Sequence, residues 1–334
     1  MTVMITGGCG FIGSHLVDML AEKGYDMEII GLKCDLQNIK QHANRVKFRR
    51  VDIQDRKAVL GAISKDTEAI LHLAALINVD ESIDTPEPFW NVNVLGTFNM
   101  IEAARQKNIK KLVFMGTCEV YGNVPMGKAD ENHTTNPLSP YAASKFAAER
   151  YLQSYATTYG DKLNVVMLRG FNQYGPRQNS GARGAVIARF INSALDGKKM
   201  KINGTGEQTR DYVYVKDTVK GIVAALEKSV KSGEIINLAS GEDVSIKSIA
   251  EKIARIAGKP ASEAIEFGPG RPGELMRSIG SSEKAKKLLG WAPMVSIDDG
   301  LQKTYDWYRE NRGGYFTRLF SGYCAVFSTI SNTL

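Results

Sequence analysis

The chain begins with a strand, a glycine-rich loop and a helix in direct succession, and this order limits the possible folds more than any other feature. Residues 2–6 form a short apolar strand, glycines recur at every third position from Gly7, and helical periodicity runs from Ser14 to Lys23. Such a loop lets backbone N–H groups and the helix dipole face a pyrophosphate. The order predicts a dinucleotide-binding α/β sheet, and the expected contacts from this loop are Gly7, Gly10, Phe11, Ile12 and Gly13.

The end of the second strand does not determine which nicotinamide cofactor is bound. In a strand spanning Met27 to Leu32, an acidic residue at the end would hydrogen-bond the adenosine ribose, but Gly31 stands there. Lys33 follows, and a cation at this place would favour a 2′-phosphate. Both NAD and NADP therefore remain open.

Further cofactor contacts are expected at the ends of the next two strands. Asp52 and Ile53 follow the strand Val46 to Val51 and are placed to flank an adenine. The next apolar strand ends beside the expected cofactor path, at Leu73, Ala74 and Ala75. For the two alanines, ordinary core packing explains the residue type equally well.

A proton-handling set is expected at the end of another buried strand. Thr117 ends the apolar run Lys111 to Gly116, and Cys118 and Glu119 follow it. Tyr141 and Lys145 are four residues apart, so they share one face of a helix. A lysine ammonium there is expected to lower the phenol pKa from about 10 towards neutrality. Thr117, Tyr141 and Lys145 then form a catalytic set, with Cys118 and Glu119 as additional acids or bases.

Composition and charge exclude several classes of protein. The formal charge is +7, but the basic residues stand in short separate groups, which does not favour a nucleic-acid surface. No apolar run is long enough to cross a membrane, and the N-terminus does not resemble a secretion signal. The four histidines show no metal-ligand pattern and the cysteines show no paired spacing, which predicts a cytoplasmic protein without structural metal. The cysteines are Cys9, Cys34, Cys118 and Cys324.

The alternation of strands and helices predicts a doubly wound parallel sheet through about Arg169, followed by a smaller, discontinuous α/β substrate lobe. We expect a dinucleotide-binding domain at 1–170 plus 212–240, the substrate lobe at 171–211 plus 241–312, and a tail without an assigned role at 313–334. The helices Phe89 to Gln106 and Tyr141 to Tyr159 are apolar on more than one side, which favours a homodimer.

Taken together, the motifs resemble the extended short-chain dehydrogenase/reductase superfamily, in its nucleotide-sugar epimerase and dehydratase branch. The resemblance implies a Rossmann-type fold, a tightly bound and recycled NAD or NADP, and a nucleoside-diphosphate sugar as substrate, with UDP favoured. The matching segments are the glycine loop, residues 72–75, 91–97, 117–119, 141–145, 171–177, 206–211 and 270–274. By the same resemblance, the substrate contacts are Asn172, Arg183, Arg210 and Arg271.

The resemblance also implies how the reaction begins. Tyr141 takes a proton from a sugar hydroxyl, usually at C4, Thr117 orients that hydroxyl, and Lys145 holds the cofactor ribose. Simple 4-epimerases typically carry small, neutral residues at the positions after their Ser or Thr, and Glu119 departs from that pattern. A carboxylate there can remove the C5 proton. Cys118 then protonates the departing C6 hydroxyl, and the Thr-Cys-Glu trio is similar to that of UDP-N-acetylglucosamine 5,6-dehydratases. The expected activity is a 4,6- or 5,6-dehydratase.

Three other functions stay open at this point. A UDP-hexose 4-epimerase fits the Tyr141 segment and Phe171-Asn172 well, and UDP-glucuronate decarboxylases also carry a glutamate at the position of Glu119. A catalytically silent redox sensor that binds NADP and a protein partner would share the fold. Retention of Thr117, Tyr141 and Lys145 together argues against the sensor.

Overall fold

The computed structural model describes residues 1–32, 34, 36–181, 184–270 and 275–312. Its central element is a seven-stranded parallel sheet in the order β11-β6-β5-β4-β1-β2-β3. The strands in chain order are β1 (Thr2–Thr6), β2 (Asp26–Gly31), β3 (Val46–Arg50), β4 (Thr67–His72), β5 (Lys111–Thr117), β6 (Asn164–Gly170), β7 (Asn172–Tyr174), β8 (Met200–Asn203), β9 (Thr209–Arg210), β10 (Tyr212–Tyr214), β11 (Ile235–Leu238), β12 (Val244–Ser245), β13 (Ile265–Gly268) and β14 (Arg277–Ser278).

Helices connect these strands. They are α1 (Phe11–Glu22), α2 (Arg56–Ala62), α3 (Val79–Asp84), α4 (Glu87–Phe89), α5 (Gly96–Gln106), α6 (Pro140–Tyr159), α7 (Val186–Leu195), α8 (Val215–Glu227), α9 (Ile246–Ile256), α10 (Ala261–Ala264), α11 (Glu283–Leu289) and α12 (Ile297–Glu310). Two 3-10 helices, Leu36–Arg45 and Cys118–Tyr121, and a π-helix, Trp90–Leu95, complete the set in the described residues. Every described helix falls short of the length or the apolarity that a membrane span needs.

The strand order reverses at β1, which lies between β2 and β4. In an open parallel sheet, a ligand binds in the crevice at such a switch point, outside the carboxyl ends of the strands. The glycine loop and the segments after β4 and β5 all lie at these ends. The predicted doubly wound parallel sheet is therefore confirmed, and it places the candidate residues at one edge.

Apolar layers cover both faces of the large sheet. One layer packs α1 and α8 on the sheet through residues such as Leu16, Val113 and Ile222, and the opposite layer packs α5 and α6 through Met100, Leu152 and others. A third cluster lies beside the small sheets and joins α7, α9 and α12. Burial on both faces explains why the strands are almost continuously apolar.

Small sheets occupy the region beyond the carboxyl ends of the large one. In the described residues there are three small sheets: β7 pairs with β10, β8 pairs with β13, and β9 pairs with both β12 and β14. The buried carboxylate of Asp211, between β9 and β10, joins this region to loops further along the chain. It accepts hydrogen bonds from the backbone N–H groups of Ser240 at 2.7 Å, Gly241 at 2.9 Å and Gly280 at 3.2 Å.

Two sequence expectations need correction. The expected helix from Phe89 to Gln106 is helical throughout, but its first part is the π-helix Trp90–Leu95. More importantly, Cys9 and Cys34 form a disulfide with a Cα–Cα distance of 5.1 Å. Their separation of 25 residues gave no signal in the sequence, but β1 and β2 are neighbours, so the segments after these strands lie side by side. The expectation that these two cysteines are unpaired was therefore wrong.

Candidate active site

The glycine loop between β1 and α1 is shaped to receive an anion. Gly7 has a φ of +71°, a left-handed conformation that glycine adopts without strain. A Cβ at Gly13 would lie 2.7 Å from the Cα of Gly8, so only glycine permits this close packing of helix against loop. Gly10 is the N-cap of α1 and offers no side chain to cap its first turn. The loop therefore suits the pyrophosphate of a dinucleotide.

The end of β4 is fastened to this loop. The Thr6 hydroxyl accepts hydrogen bonds from the backbone N–H groups of Leu73 at 3.1 Å and Ala74 at 3.0 Å. A Cβ on Gly7 would meet the Ala74 nitrogen at 3.0 Å. Leu73, Ala74 and Ala75 are half-buried beside the loop, where a cofactor could contact them.

The segment after β3 lies at the same edge of the sheet. Asp52 is half-buried and its carboxylate accepts a hydrogen bond from the backbone N–H of Gln54 at 2.9 Å. The Ile53 side chain is buried and packs closely against Gly96 on α5. The Ile53 carbonyl accepts a bond of 2.9 Å from the Asn99 amide. Asp52 is thus the more accessible of the two predicted contacts.

Thr117 and Tyr141 come together from two separate elements. Thr117 ends β5 and is the N-cap of the 3-10 helix Cys118–Tyr121, since its hydroxyl accepts a 3.2 Å bond from the N–H of Glu119. Tyr141 lies in the first turn of α6, which begins with a Ser139 N-cap and Pro140. The hydroxyl of Thr117 hydrogen-bonds the Tyr141 phenol. This places the predicted tyrosine and threonine in direct contact.

Burial, and not Lys145, dominates the ionisation of Tyr141. Burial raises the phenol pKa above its ordinary value, the Thr117 hydrogen bond opposes this, and the negative charge of Glu119 raises it further. The Lys145 ammonium lies 4.1 Å from the centre of the Phe114 ring, and burial lowers the pKa of Lys145 to about 7. The phenol pKa is thus raised and not lowered here, and the groups that act on it are Thr117, Glu119 and Cys118.

Glu119 and Cys118 occupy different environments although they are neighbours. Glu119 is half-buried, and burial raises the pKa of its carboxyl while Arg210 opposes the rise. Cys118 is a free, buried thiol whose pKa burial also raises, so it stays protonated at neutral pH. Both groups act electrostatically on Tyr141. The site therefore combines a phenol, a hydroxyl, a thiol and a carboxyl.

Two of the four expected substrate residues lie in the described part of the chain. Arg210 on β9 is half-buried, acts on Glu119 and donates a bond of 2.8 Å to the Thr209 carbonyl. Asn172 on β7 donates its amide to the Asp211 carbonyl at 3.0 Å, which leaves its oxygen for other contacts. The predicted contacts that lie outside the described residues are Lys33, Arg183 and Arg271.

The structure adds three residues that sequence reasoning missed. The Ser278 hydroxyl, on β14, donates to the Cys118 sulfur over 3.9 Å. Phe89 meets the Tyr141 ring edge-on, with the ring centres 6.5 Å apart. The Asn93 amide binds the Leu76 backbone and donates to the Ser144 hydroxyl at 2.9 Å. Asn93 stands in a segment that already carried the family resemblance, whereas the short β14 gives no sequence signal.

The described residues contain no group of three or more histidine, cysteine, aspartate or glutamate side chains that could hold a metal ion. A dinucleotide crevice with a Thr/Tyr/Lys set beside it defines an extended short-chain dehydrogenase/reductase. Comparison with known proteins narrows this class. A family model described as GDP-mannose 4,6 dehydratase matches residues 4–304.

Relatives of known structure or curated description agree with that match. A putative UDP-glucose 4-epimerase of Methanocaldococcus jannaschii is 37% identical over 92% of this chain and 99% of its own length. The crystal structure of a Thermotoga maritima UDP-glucose 4-epimerase with UDP-glucose has a TM-score of 0.88 and 33% identity, over 93% of this chain and 100% of that one. A Streptomyces venezuelae dTDP-glucose 4,6-dehydratase with NAD bound has a TM-score of 0.87 and 31% identity, over 94% and 98% of the two chains.

These matches cover nearly the whole of the described chain. The protein belongs to the GDP-mannose 4,6-dehydratase family of sugar epimerases and dehydratases. It is accordingly an enzyme of nucleotide-sugar chemistry, and its relatives include both lyases and isomerases.

Proposed function

We propose that this protein is an NAD-dependent nucleotide-sugar dehydratase that removes water across C5 and C6 of the hexose. The observation that carries the proposal is Glu119, a half-buried carboxyl beside the Tyr141 phenol. A 4-epimerase does not require a second base, because inversion needs only hydride removal and return at C4. A carboxyl whose pKa is raised by burial is suited to take a carbon-bound proton near neutral pH.

Different residues at the crevice would bind the cofactor and the substrate. The glycine loop would hold the pyrophosphate of NAD, with Leu73, Ala74, Ala75 and Asp52 along the cofactor. When bound, NAD supplies a hydride acceptor for the sugar carbon and a positively charged ring. The NAD-bound dehydratase relative supports NAD as the cofactor. Arg210 would bind the diphosphate, a task that suits its guanidinium fork.

The proton transfers follow from the positions of the side chains. Tyr141 removes the proton of the C4 hydroxyl, and the Thr117 hydroxyl holds that oxygen in place. The resulting ketone acidifies the C5 hydrogen, which the Glu119 carboxylate removes. The C6 hydroxyl then leaves as water, and we assign its proton to the Cys118 thiol, which is protonated at neutral pH but is made a weaker acid by burial. Carbon–carbon unsaturation between C5 and C6 is the immediate outcome, and the hydride taken from C4 would have to return to the sugar to give a net loss of water.

A UDP-hexose 4-epimerase is the second candidate, and two observations favour it. Both the Methanocaldococcus relative and the Thermotoga structure are described as UDP-glucose 4-epimerases. The latter contains UDP-glucose, which also supports a UDP-sugar as substrate of this chain. In that case Tyr141 would act with Thr117 alone, and Glu119 would only tune the phenol.

We also propose a homodimer and assign the nucleotide sugar to the lobe of residues 171–211 and 241–312. Large apolar side chains are exposed on the π-helix and α6: Trp90 is 57%, Leu95 40% and Tyr151 47% exposed. Their burial against a second copy would remove apolar surface from water. Measurement of the molar mass by sedimentation tests this assignment, and a monomer at micromolar concentration would contradict it.

Product mass and isotope exchange decide between the candidates. The purified protein is incubated with UDP-, dTDP- and GDP-hexoses in H2O, where dehydration appears as a loss of about 18 Da and epimerisation leaves the mass of the sugar unchanged. A parallel incubation in D2O reports deuterium exchange at C5. The Glu119→Gln variant should still reduce bound NAD with substrate but should lose deuterium exchange at C5. The Tyr141→Phe variant is the matched control and should lose both. C5 exchange at the parent rate in Glu119→Gln would remove the dehydratase proposal.

A further inference from the structure

A buried ion pair lies one helical turn beyond Lys145. Glu149 on α6 and Arg169 on β6 are 1% and 2% exposed. The guanidinium donates two bonds to the carboxylate, from Nε at 2.9 Å and from Nη2 at 2.7 Å. Replacing a buried ion pair of this kind with apolar residues often leaves the stability of a protein unchanged or increases it. Stability alone therefore does not explain why this pair is present, and its neighbours have to be considered.

Lys145 is the neighbour that most needs a counter-charge. It is 3% exposed, and its ammonium faces the Phe114 ring at 4.1 Å. Residues four apart on a helix share one face, which brings Glu149 beside Lys145. Burial lowers the pKa of Lys145 to about 7, and the charge of Glu149 opposes this fall. At neutral pH the lysine is thus close to losing its proton.

Other ionisable groups do not supply this counter-charge. His72 on β4 senses Lys145, but burial lowers the histidine pKa to about 3 and it stays neutral. In the described residues, Glu149 is the charged side chain that raises the pKa of Lys145. The ionisable side chains on elements packed against α6 are Asp80, Glu81 and Asp84 on α3, Glu87 on α4, Glu102 and Arg105 on α5, Lys111 on β5, Cys118, Glu119 and Tyr121 on the 3-10 helix, and Arg169 on β6.

We propose that Glu149 is a positioning residue that keeps Lys145 an ammonium, while Arg169 and Arg150 share the Glu149 carboxylate and limit its effect on the lysine. The inference deepens the proposed function, because it rests on Lys145 acting as a cation beside the cofactor. The Arg169 guanidinium lies 4.7 Å from the centre of the Tyr121 ring, and the Tyr121 hydroxyl donates to Asn237 at 2.7 Å. These contacts hold the arginine against Glu149. Because the Glu149 charge raises the pKa of Lys145, removing that carboxylate makes Lys145 a weaker base.

The pKa of Lys145 can be measured without substrate or cofactor. Protein labelled with 13C at the lysine ε-carbons is titrated by NMR, and Lys145→Arg identifies the signal. We expect Glu149→Gln to lower the pKa of Lys145 by about one pH unit and Arg169→Gln to raise it. Arg150→Gln removes an exposed partner of Glu149, 2.6 Å away, and should raise the pKa of Lys145 by a smaller amount. Because Arg150 is exposed, this variant should fold normally. Glu102→Gln, which removes another mostly buried, arginine-paired carboxylate, should leave the pKa unchanged.

The outcomes separate this inference from the proposed function. An unchanged pKa of Lys145 in Glu149→Gln and Arg150→Gln, or an equal fall in Glu102→Gln, would overturn the inference. The pH profile of kcat provides the second measurement: loss of activity with rising pH should begin about one pH unit lower in Glu149→Gln than in the parent. If the NMR shifts appear but the profile does not move, the role of Lys145 in the proposed function fails while the counter-charge stands.

Discussion

Replacing Gly13 with alanine should displace the glycine loop. The new Cβ would lie on the Gly7 carbonyl oxygen, 2.7 Å from the Gly8 Cα and 2.9 Å from the Gly7 carbonyl carbon. All three are backbone atoms, so no side chain can move aside to relieve the overlap. Overpacking of this kind costs about 1–3 kcal/mol of unfolding free energy. Each charge-assisted bond from the loop to a phosphate that is lost costs a further ~1.5–3 kcal/mol of binding free energy.

Binding of NADH and unfolding in urea measure the two effects separately. We expect Gly13→Ala to bind NADH at least about tenfold more weakly, by fluorescence titration, and to unfold at lower urea concentration. Gly61→Ala is the matched control, because Gly61 lies in α2 and a Cβ there meets no atom within 4 Å. That substitution should leave NADH binding unchanged and stabilise the helix by about 0.5–1 kcal/mol. Parent-like NADH affinity in Gly13→Ala would refute the assignment of the loop to the pyrophosphate.

Three further substitutions test the site and the disulfide. Tyr141→Phe should lower kcat by about 10²–10⁴-fold and leave NADH affinity intact, and a parent-like kcat in steady-state assays would contradict the role of the phenol. Because burial raises the pKa of Glu119, activity should fall as the pH drops through a value above the ordinary carboxyl range. Arg210→Gln removes the opposing charge and should move this acid limb of the kcat profile to higher pH, whereas a downward move would contradict the contact. Cys34→Ser opens the disulfide across 25 residues and should lower the unfolding free energy by about 3.5 kcal/mol. Equal urea midpoints for this variant and the parent would show that the bond does not form.

The fold could be predicted well because its signals are local. The strand, loop and helix at the N-terminus are read from residues adjacent in sequence, and α1 and α6 begin within a few residues of the expected positions. The disulfide could not be predicted, because the approach of Cys9 to Cys34 depends on β1 and β2 being neighbours in the sheet. The π-helix also lacked a signal, since residues 90–95 have ordinary helical composition.

The candidate site was predictable in its members but not in its electrostatics. Thr117 and Tyr141 meet as expected, because one ends a buried strand and the other starts a helix at the same edge. The spacing of Tyr141 and Lys145 gave no measure of how deeply both are buried, and that burial reverses the expected effect on the phenol. Glu149 and Arg169 were missed because their pairing joins residues 20 apart, on different elements.

The carboxylate of Asp211 has a consequence for how the enzyme can release product. It ties the turn between β9 and β10 to the backbone after β11 and to the residue after Ile279. Rocking the small sheets away from the large one would strip these donors from a buried anion, at a cost of several kcal/mol. We therefore expect the turn between β9 and β10 to stay fixed against the end of β11 while product leaves the crevice.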